Sequence, residues 1–163
     1  MDAYTAIRSK RDTRAYASKP IPEASLRRIV QAGRMSGSSK NSQPCRLVVL
    51  RNQSRREEIA ACGQFATHVP AAPLVIAIVL TPGGGPFDAG RCAQNMMIAA
   101  WAEGITSCPT SMHDADCAAR VLGLPEEHRV AILLPFGYPD EGATAPVSRQ
   151  RIPVDDLVHW EKW

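Results

Sequence analysis

Between a helical pattern and an apolar, strand-like run lies Gly37-Ser38-Ser39-Lys40-Asn41-Ser42-Gln43-Pro44. It crowds small hydroxyl side chains and two amides together, behind a glycine suited to ending a helix. A tight loop so rich in hydrogen-bonding groups suits a planar polar ligand better than a hydrophobic core. Upstream sits a cationic cluster, Lys10-Arg11-Asp12-Thr13-Arg14; far downstream, Arg149 and Arg151 form a second. Loop donors with two separated cationic clusters point to one ligand with a flat heteroaromatic head and a phosphate tail. Taken singly, each feature has a plainer reading: a solvated helix end, an ordinary turn, a charged polar tail. The chemistry rests on their combination.

The elements that must hold these residues can be read from pattern. Asp2 caps a first helix running to about 9, with Ala3, Ala6 and Ile7 inward. Lys19-Pro20-Ile21-Pro22 breaks the chain. Leu26, Ile29, Val30 and Gly33 then repeat with helical spacing over 23–35. The run 45–50 reads as a strand. Ser54-Arg55-Arg56-Glu57 is a capping-box pattern opening a short helix to about 62. The unbroken apolar run 73–80 predicts a strand covered on both faces, and 81–86, with three consecutive glycines, a flexible loop. Residues 88–103 predict the longest helix, capped by Asp88 and carrying an apolar stripe of Ala93, Met96, Met97, Ala100 and Trp101; such a helix belongs in a core or an interface. A short strand at 105–108, a helix at 114–122, a strand at 130–134 and a last short helix at 153–160 complete the reading. The order predicts an α+β or α/β sandwich with helices around a central sheet, in a single domain spanning 1–163.

Bulk properties narrow the function classes. The apolar fraction is 45%, enough for a real core. The net charge of +3 is scattered and aromatics make up only 6%, which argues against a nucleic-acid partner. No apolar run is long enough to span a bilayer and no signal peptide is visible, so the expectation is a cytoplasmic protein with no membrane partner. Cys45, Cys62, Cys92, Cys108 and Cys117 show neither C-x-x-C nor metal-ligand spacing. They are expected to be reduced, mostly buried thiols, and no metal site is expected.

Four segments, in order, resemble the FMN-dependent nitroreductase family: Lys10-Arg11-Asp12-Thr13-Arg14-Ala15-Tyr16; Pro20-Ile21-Pro22 leading into Ser38-Ser39-x-Asn41-x-Gln43-Pro44; Asp88-x-Gly90-x-x-x-Gln94-Asn95-Met96 through Gly104-Ile105-x-Ser107-Cys108; and Leu122-Gly123-Leu124-Pro125 with Gly137-Tyr138-Pro139 and Arg149-x-Arg151-Ile152-Pro153. Each motif is weak alone, while their order and spacing cover nearly the whole chain. The resemblance implies an α+β, three-layer sandwich, a central mixed sheet flanked by helices, and an intimate homodimer with FMN at the interface. It implies that NAD(P)H reduces the flavin at N5 and that electrons then pass to a nitroaromatic, quinone or similar small-molecule acceptor. It assigns Lys10, Arg11 and Asp12 to the phosphate and ribityl chain, and Arg14 to the pyrimidine edge of the ring. Gly37, Ser38, Ser39, Asn41 and Gln43 fall in the loop given by the other subunit. Pro109, Thr110 and Ser111 lie along the ring near N5, and Arg149 and Arg151 close on the phosphate. No side chain is assigned as a catalytic acid or nucleophile.

This chain departs from the family pattern in three ways. Asp12 stands where many members have Ser; a carboxylate beside a phosphate is unfavourable, so Asp12 is expected to pair with Arg11 or Arg14, or to meet ribityl hydroxyls. Cys45 replaces the usual aromatic after Gln-Pro. No room for a lid insertion exists between Cys62 and Pro73. Two alternatives stay open: a specialised flavin enzyme, for reductive dehalogenation or flavin fragmentation, and an FMN-binding module without efficient turnover.

Overall fold

The computed structural model describes residues 1–142 and 150–163. Its backbone order is α1 (Ala3–Ser9), α2 (Glu23–Arg34), a 3-10 turn (Ser39–Asn41), β1 (Cys45–Leu50), α3 (Gln53–Ala60), β2 (Leu74–Leu80), α4 (Pro86–Trp101), β3 (Thr106–Ser107), α5 (Ala115–Leu122), β4 (Arg129–Gly137) and α6 (Val154–Leu157).

The strands form one sheet in the order β1-β2-β4-β3. All of their ladders are antiparallel. The parallel component of the expected mixed sheet is a single bridge, Asp12 to Ser107. Every residue of β2 is buried, and the alternation of its side chains explains why. Leu74, Ile76, Ile78 and Leu80 pack with α2 and α4 into one core. Val75 and Ala77 face the opposite way, into a second core with Ile59 of α3 and Ala118 of α5. Two helical layers therefore cover a central sheet, the α+β three-layer arrangement that the resemblance implies.

Several boundaries shift for identifiable reasons. The long helix starts at Pro86, which needs no N–H in a first turn; its cap is Gly85, and Asp88 accepts from the Gly85 N–H at 3.3 Å. α3 is capped by Asn52, whose Oδ1 accepts from Arg55 N–H at 3.2 Å, two residues before the expected box; Ser54 donates instead to Glu58. β4 runs past Pro135 to Gly137. Leu133 exchanges both backbone hydrogen bonds with Thr110, each at 2.9 Å, so by alternation the ring nitrogen of Pro135 faces the same side. There it meets the gap between the Thr110 and Ser107 pairings, where no ladder donor is required.

The expectation of five reduced thiols is overturned. Cys62 and Cys117 form a disulfide with Cα atoms 5.6 Å apart, tying the turn after α3 to the first half of α5. Cys45, Cys92 and Cys108 are free. Among the described residues, no helix is long and apolar enough to cross a membrane.

Candidate active site

The N-terminal cationic segment is drawn onto the end of β3. Asp12 bridges Ser107, and Thr13 N–H donates to Ser107 O at 3.3 Å. Tyr16 anchors the following residues. Its ring is buried, its hydroxyl donates to Thr13 O at 2.8 Å, and it pairs with Pro139. β3 runs directly into Pro109, Thr110 and Ser111. Two segments assigned from sequence to one ligand, 10–14 and 109–111, therefore meet at one edge of the sheet.

Their individual placements differ. Lys10 is mostly buried, ion-paired with Asp12, and its Nζ approaches Met97 Sδ at 3.5 Å. Asp12 thus pairs with Lys10, correcting the expected Arg11 or Arg14; the Arg11 guanidinium is engaged elsewhere, on backbone carbonyls of α1's end. The Arg11 guanidinium folds back, Nη1 donating to Arg8 O and Lys10 O, each at 2.9 Å, where it closes the end of α1. Arg14 is solvent-facing and lies beside Cys108, Tyr16 and His68. Burial pushes the Cys108 thiol up despite the opposing pull of Arg14, which leaves it a neutral thiol. Burial also raises the Tyr16 phenol.

Hydrogen-bond accounting separates the three residues along the proposed ring. Pro109 has no N–H, and the Thr110 N–H is spent on Leu133 O. Ser111 N–H forms no such bond among the described residues, and Ser111 is exposed. Behind it, Thr110 Oγ1 donates to Cys108 O at 3.1 Å and lies 3.0 Å from His68 Nε2. A hydroxyl has one proton, so His68 Nε2–H is the donor to Thr110. Burial, then the charge of Arg14, holds the His68 imidazole below its ordinary value. Sequence reasoning missed His68; nothing local marks it, because its partner is 42 residues away. His113 Nδ1 accepts from Gln64 N–H at 3.1 Å, a structural role at the entry to α5.

A cleft of about 560 Å³ opens beside this edge. Gly90, Ala93 and Met97 of α4, Pro109 beyond β3, and Arg129 and Ala131 of β4 line it. Arg129 Nη2 donates to Gly84 O at 2.7 Å. Ala131 is the extra residue where the β2–β4 register shifts, a bulge that turns the strand at the cleft.

The loop carrying Gly37, Ser38, Ser39, Asn41 and Gln43 lies elsewhere, against α4. Gln43 N–H donates to Ser38 Oγ at 2.8 Å, and Asn95 Nδ2 donates to Ser36 Oγ at 2.9 Å; Gly37 abuts Arg91. Lys40, Asn41 and Gln43 all have positive φ (51°, 53° and 48°), conformations that side chains adopt at a cost and that collect at functional loops. Among the described residues, no hydrogen bond or ion pair joins this loop to 10–14 or 109–111. Arg149 lies outside the described residues. Arg151 is exposed, as is everything from Gln150 onward, including Ile152, Val154, Leu157 and Trp160. No group of three or more His, Cys, Asp or Glu among the described residues is placed to hold a metal.

A sequence profile described as the Nitroreductase family matches residues 7–79 and 83–138. An NADH dehydrogenase of Thermus thermophilus is 29% identical over 201 residues, taking in 98% of this chain and 96% of that one. Among solved structures, a Desulfovibrio desulfuricans protein in complex with FMN is 25% identical and superposes with a TM-score of 0.88, covering 100% of this chain and 98% of its own. The NADPH:FMN oxidoreductase of Vibrio harveyi in complex with NAD+ is 24% identical, with a TM-score of 0.89 over 99% of this chain and 77% of its own; that likeness bears on the fold.

Proposed function

Because the chain belongs to the nitroreductase family, we propose that it is a homodimeric, FMN-dependent NAD(P)H oxidoreductase whose acceptor is a nitroaromatic, a quinone or a similar small molecule. The observation that carries this reading is the seating of 10–14 on the end of β3 beside Pro109, Thr110 and Ser111. That seating brings the cationic segment beside an unspent backbone donor. When bound, FMN supplies the redox chemistry, taking a hydride from NAD(P)H and passing electrons on.

The residues present fit that cofactor. The Lys10 ammonium holds the Asp12 carboxylate, so a phosphate does not meet an unpaired negative charge. Arg14 is free to face the electron-rich edge of a flavin, where positive charge favours the reduced form. Ser111 N–H is the donor we assign to N5, and the Thr110–His68 hydrogen bond fixes the backbone that presents it. The cleft volume lies in the range that takes a drug-sized ring system. Lys10 and Arg14 are the phosphate and ring cations in this assignment; Arg149 and Arg151 join them as the closing pair.

The proposed dimer is supported by what one copy leaves unfinished. The loop of Ser38, Ser39, Asn41 and Gln43 makes no bond to the cluster in its own chain, and we assign it to the cofactor seated mainly on the other chain. The exposed apolar residues Ile152, Val154, Leu157 and Trp160 are the kind of surface that a second copy would cover. We take the enzyme to act in the cytoplasm, where NAD(P)H is supplied.

The test is spectroscopic. Purified protein, supplied with FMN, should show two flavin absorption bands that bleach anaerobically with NADH or NADPH, and should run as a dimer in light scattering. A protein that stays colourless after FMN is supplied would end this reading. Bands that no nicotinamide bleaches would support the binding-module alternative.

A further inference from the structure

The Cys62–Cys117 disulfide takes no part in the site described above, yet it adjoins the segment that forms it. We propose that this disulfide is a thiol–disulfide exchange site, reduced by a neutral or basic protein dithiol, and that its state controls the order of the segment from Ser111 to Asp114. The coupling to flavin chemistry rests on the function proposed above; the exchange itself does not.

The geometry gives the reductant a way in. An open groove of about 640 Å³ reaches the disulfide on its Cys62 side, lined by Cys62, Gly63, Gln64, His113, Asp114 and Asp116 but not by Cys117. Cys62 is 3% exposed, whereas Cys117 is only half-buried, so Cys117 is the less covered half of the disulfide and the one we assign as the point of attack. An incoming thiolate bonds to Cys117 Sγ and the Cys62–Cys117 bond breaks, with the electron pair leaving on Cys62. The Cys62 thiolate takes up a proton, and the thiol so formed has an acceptor in place, Glu58 O at 3.7 Å. The donor's second thiolate then attacks the mixed disulfide and releases the Cys117 thiolate, which is protonated from solvent. The donor leaves as a disulfide, and two electrons have passed to the protein. Asp114 and Asp116 give the groove a negative lining, which disfavours an anionic thiol such as glutathione relative to a neutral dithiol.

The structure also indicates what reduction changes. Residues 111–116 are strung between two fixed points, the Thr110–Leu133 pairing and the disulfide. The turn after Cys62 is pressed against them. A Cβ on Gly63 would lie 2.7 Å from Met112 Cε and 3.4 Å from Ser111 O. Asp114 N–H donates to Cys62 O at 3.0 Å, and Gln64 N–H to His113 Nδ1 at 3.1 Å. α5 keeps its seat through Ala118, Val121 and Leu122 in the core, so loss of the bond loosens one strap and leaves the layer docked.

The holoprotein is treated under native conditions with dithiothreitol or with glutathione, quenched with an alkylating agent and peptide-mapped. Dithiothreitol is expected to label Cys62 and Cys117 at least about tenfold faster than glutathione at equal thiol concentration, with the gap narrowing in high salt. Labelling of both only after denaturant is added, or full labelling of the untreated protein, would overturn the exchange site. Amide exchange is then compared between oxidised and reduced protein and the C62A/C117A variant. Exchange of the Asp114 amide, whose N–H donates to Cys62 O, should rise about tenfold in both thiol-free states while Leu74–Leu80 stays protected. No rise, or a uniform rise that includes Leu74–Leu80, would refute the coupling. None of these readouts needs flavin turnover, so a protein that exchanges thiols but never bleaches refutes the oxidoreductase reading alone.

Discussion

Gly137 sits where the sheet meets the cationic segment, and replacing it with alanine tests whether site and fold share a wall. A methyl added there would lie 2.8 Å from Tyr16 Cδ1 and 2.9 Å from both Tyr16 Cβ and Pro73 Cδ. Carbon atoms pack at about 3.5–4.0 Å, so two sides must each give way by several tenths of an ångström. One side is a proline ring and the other a buried tyrosine tied to Thr13 and Pro139. Overpacking of this kind costs roughly 1–3 kcal/mol. How that cost divides is informative. If Pro73 and the sheet absorb it, Gly137→Ala loses about 2 kcal/mol of apoprotein stability in urea. If Tyr16 moves instead, it drags Asp12 to Arg14 with it, and the same 2 kcal/mol appears as a roughly 30-fold weaker FMN Kd by fluorescence quenching. The two losses together should come to about 2 kcal/mol. A variant within about 0.3 kcal/mol of the parent in both measurements would refute the claim that Tyr16 transmits packing from β4 to the site.

Three further outcomes follow from the same geometry. Arg14→Ala should weaken FMN binding by about tenfold or more, as expected for loss of a charge-assisted contact, and should flatten its salt dependence; unchanged affinity at both low and high salt would remove Arg14 from the site. Ser111→Pro deletes the one unspent N–H of the 109–111 segment, and should slow anaerobic flavin reduction about 100-fold, the cost typical of a lost preorganised donor, while FMN still binds; parent-like reduction would assign the donor elsewhere. The lowered imidazole of His68 means that the unfolded chain binds its proton more readily. The stability this contributes is present above the ordinary histidine value and is lost as pH falls through the lowered one. Apoprotein stability should therefore decline between about pH 7 and 5, less steeply in His68→Gln; identical slopes in the two proteins would contradict the burial of a neutral His68.

Periodicity carried much of the fold. The apolar run around Ile76 is legible because both of its faces are covered, and the stripe on α4 because Met96 and Ala100 recur with helical spacing. Pro135 misled the eye, since a proline reads as a strand end unless one knows which neighbour its nitrogen faces. The site was legible only as family motifs at set spacing. The partner of Asp12 was misassigned because the Arg11 guanidinium is taken up by the carbonyls of Arg8 and Lys10, which no local pattern records. His68 and the disulfide were invisible for the same reason: their partners are brought close by the sheet, and no local pattern records that. Thr110 was singled out for its backbone, yet its N–H is consumed by Leu133, a fact that requires the strand register.

The pairing of Asp12 with Ser107, and of Tyr16 with Pro139, has a consequence for how the protein is made. The cationic segment around Asp12 has no seat until Ser107 has followed it, nor Tyr16 until Pro139 has. Local helices can form early, but closing so long a loop comes late and slowly. The growing chain therefore carries this basic segment unseated until Ser107 and Pro139 have been made. Its final seat draws on residues about 100 positions away, the Asp12 and Tyr16 bridges and the Thr13 N–H bond to Ser107 O, so the arm is among the last parts of the fold to be fixed.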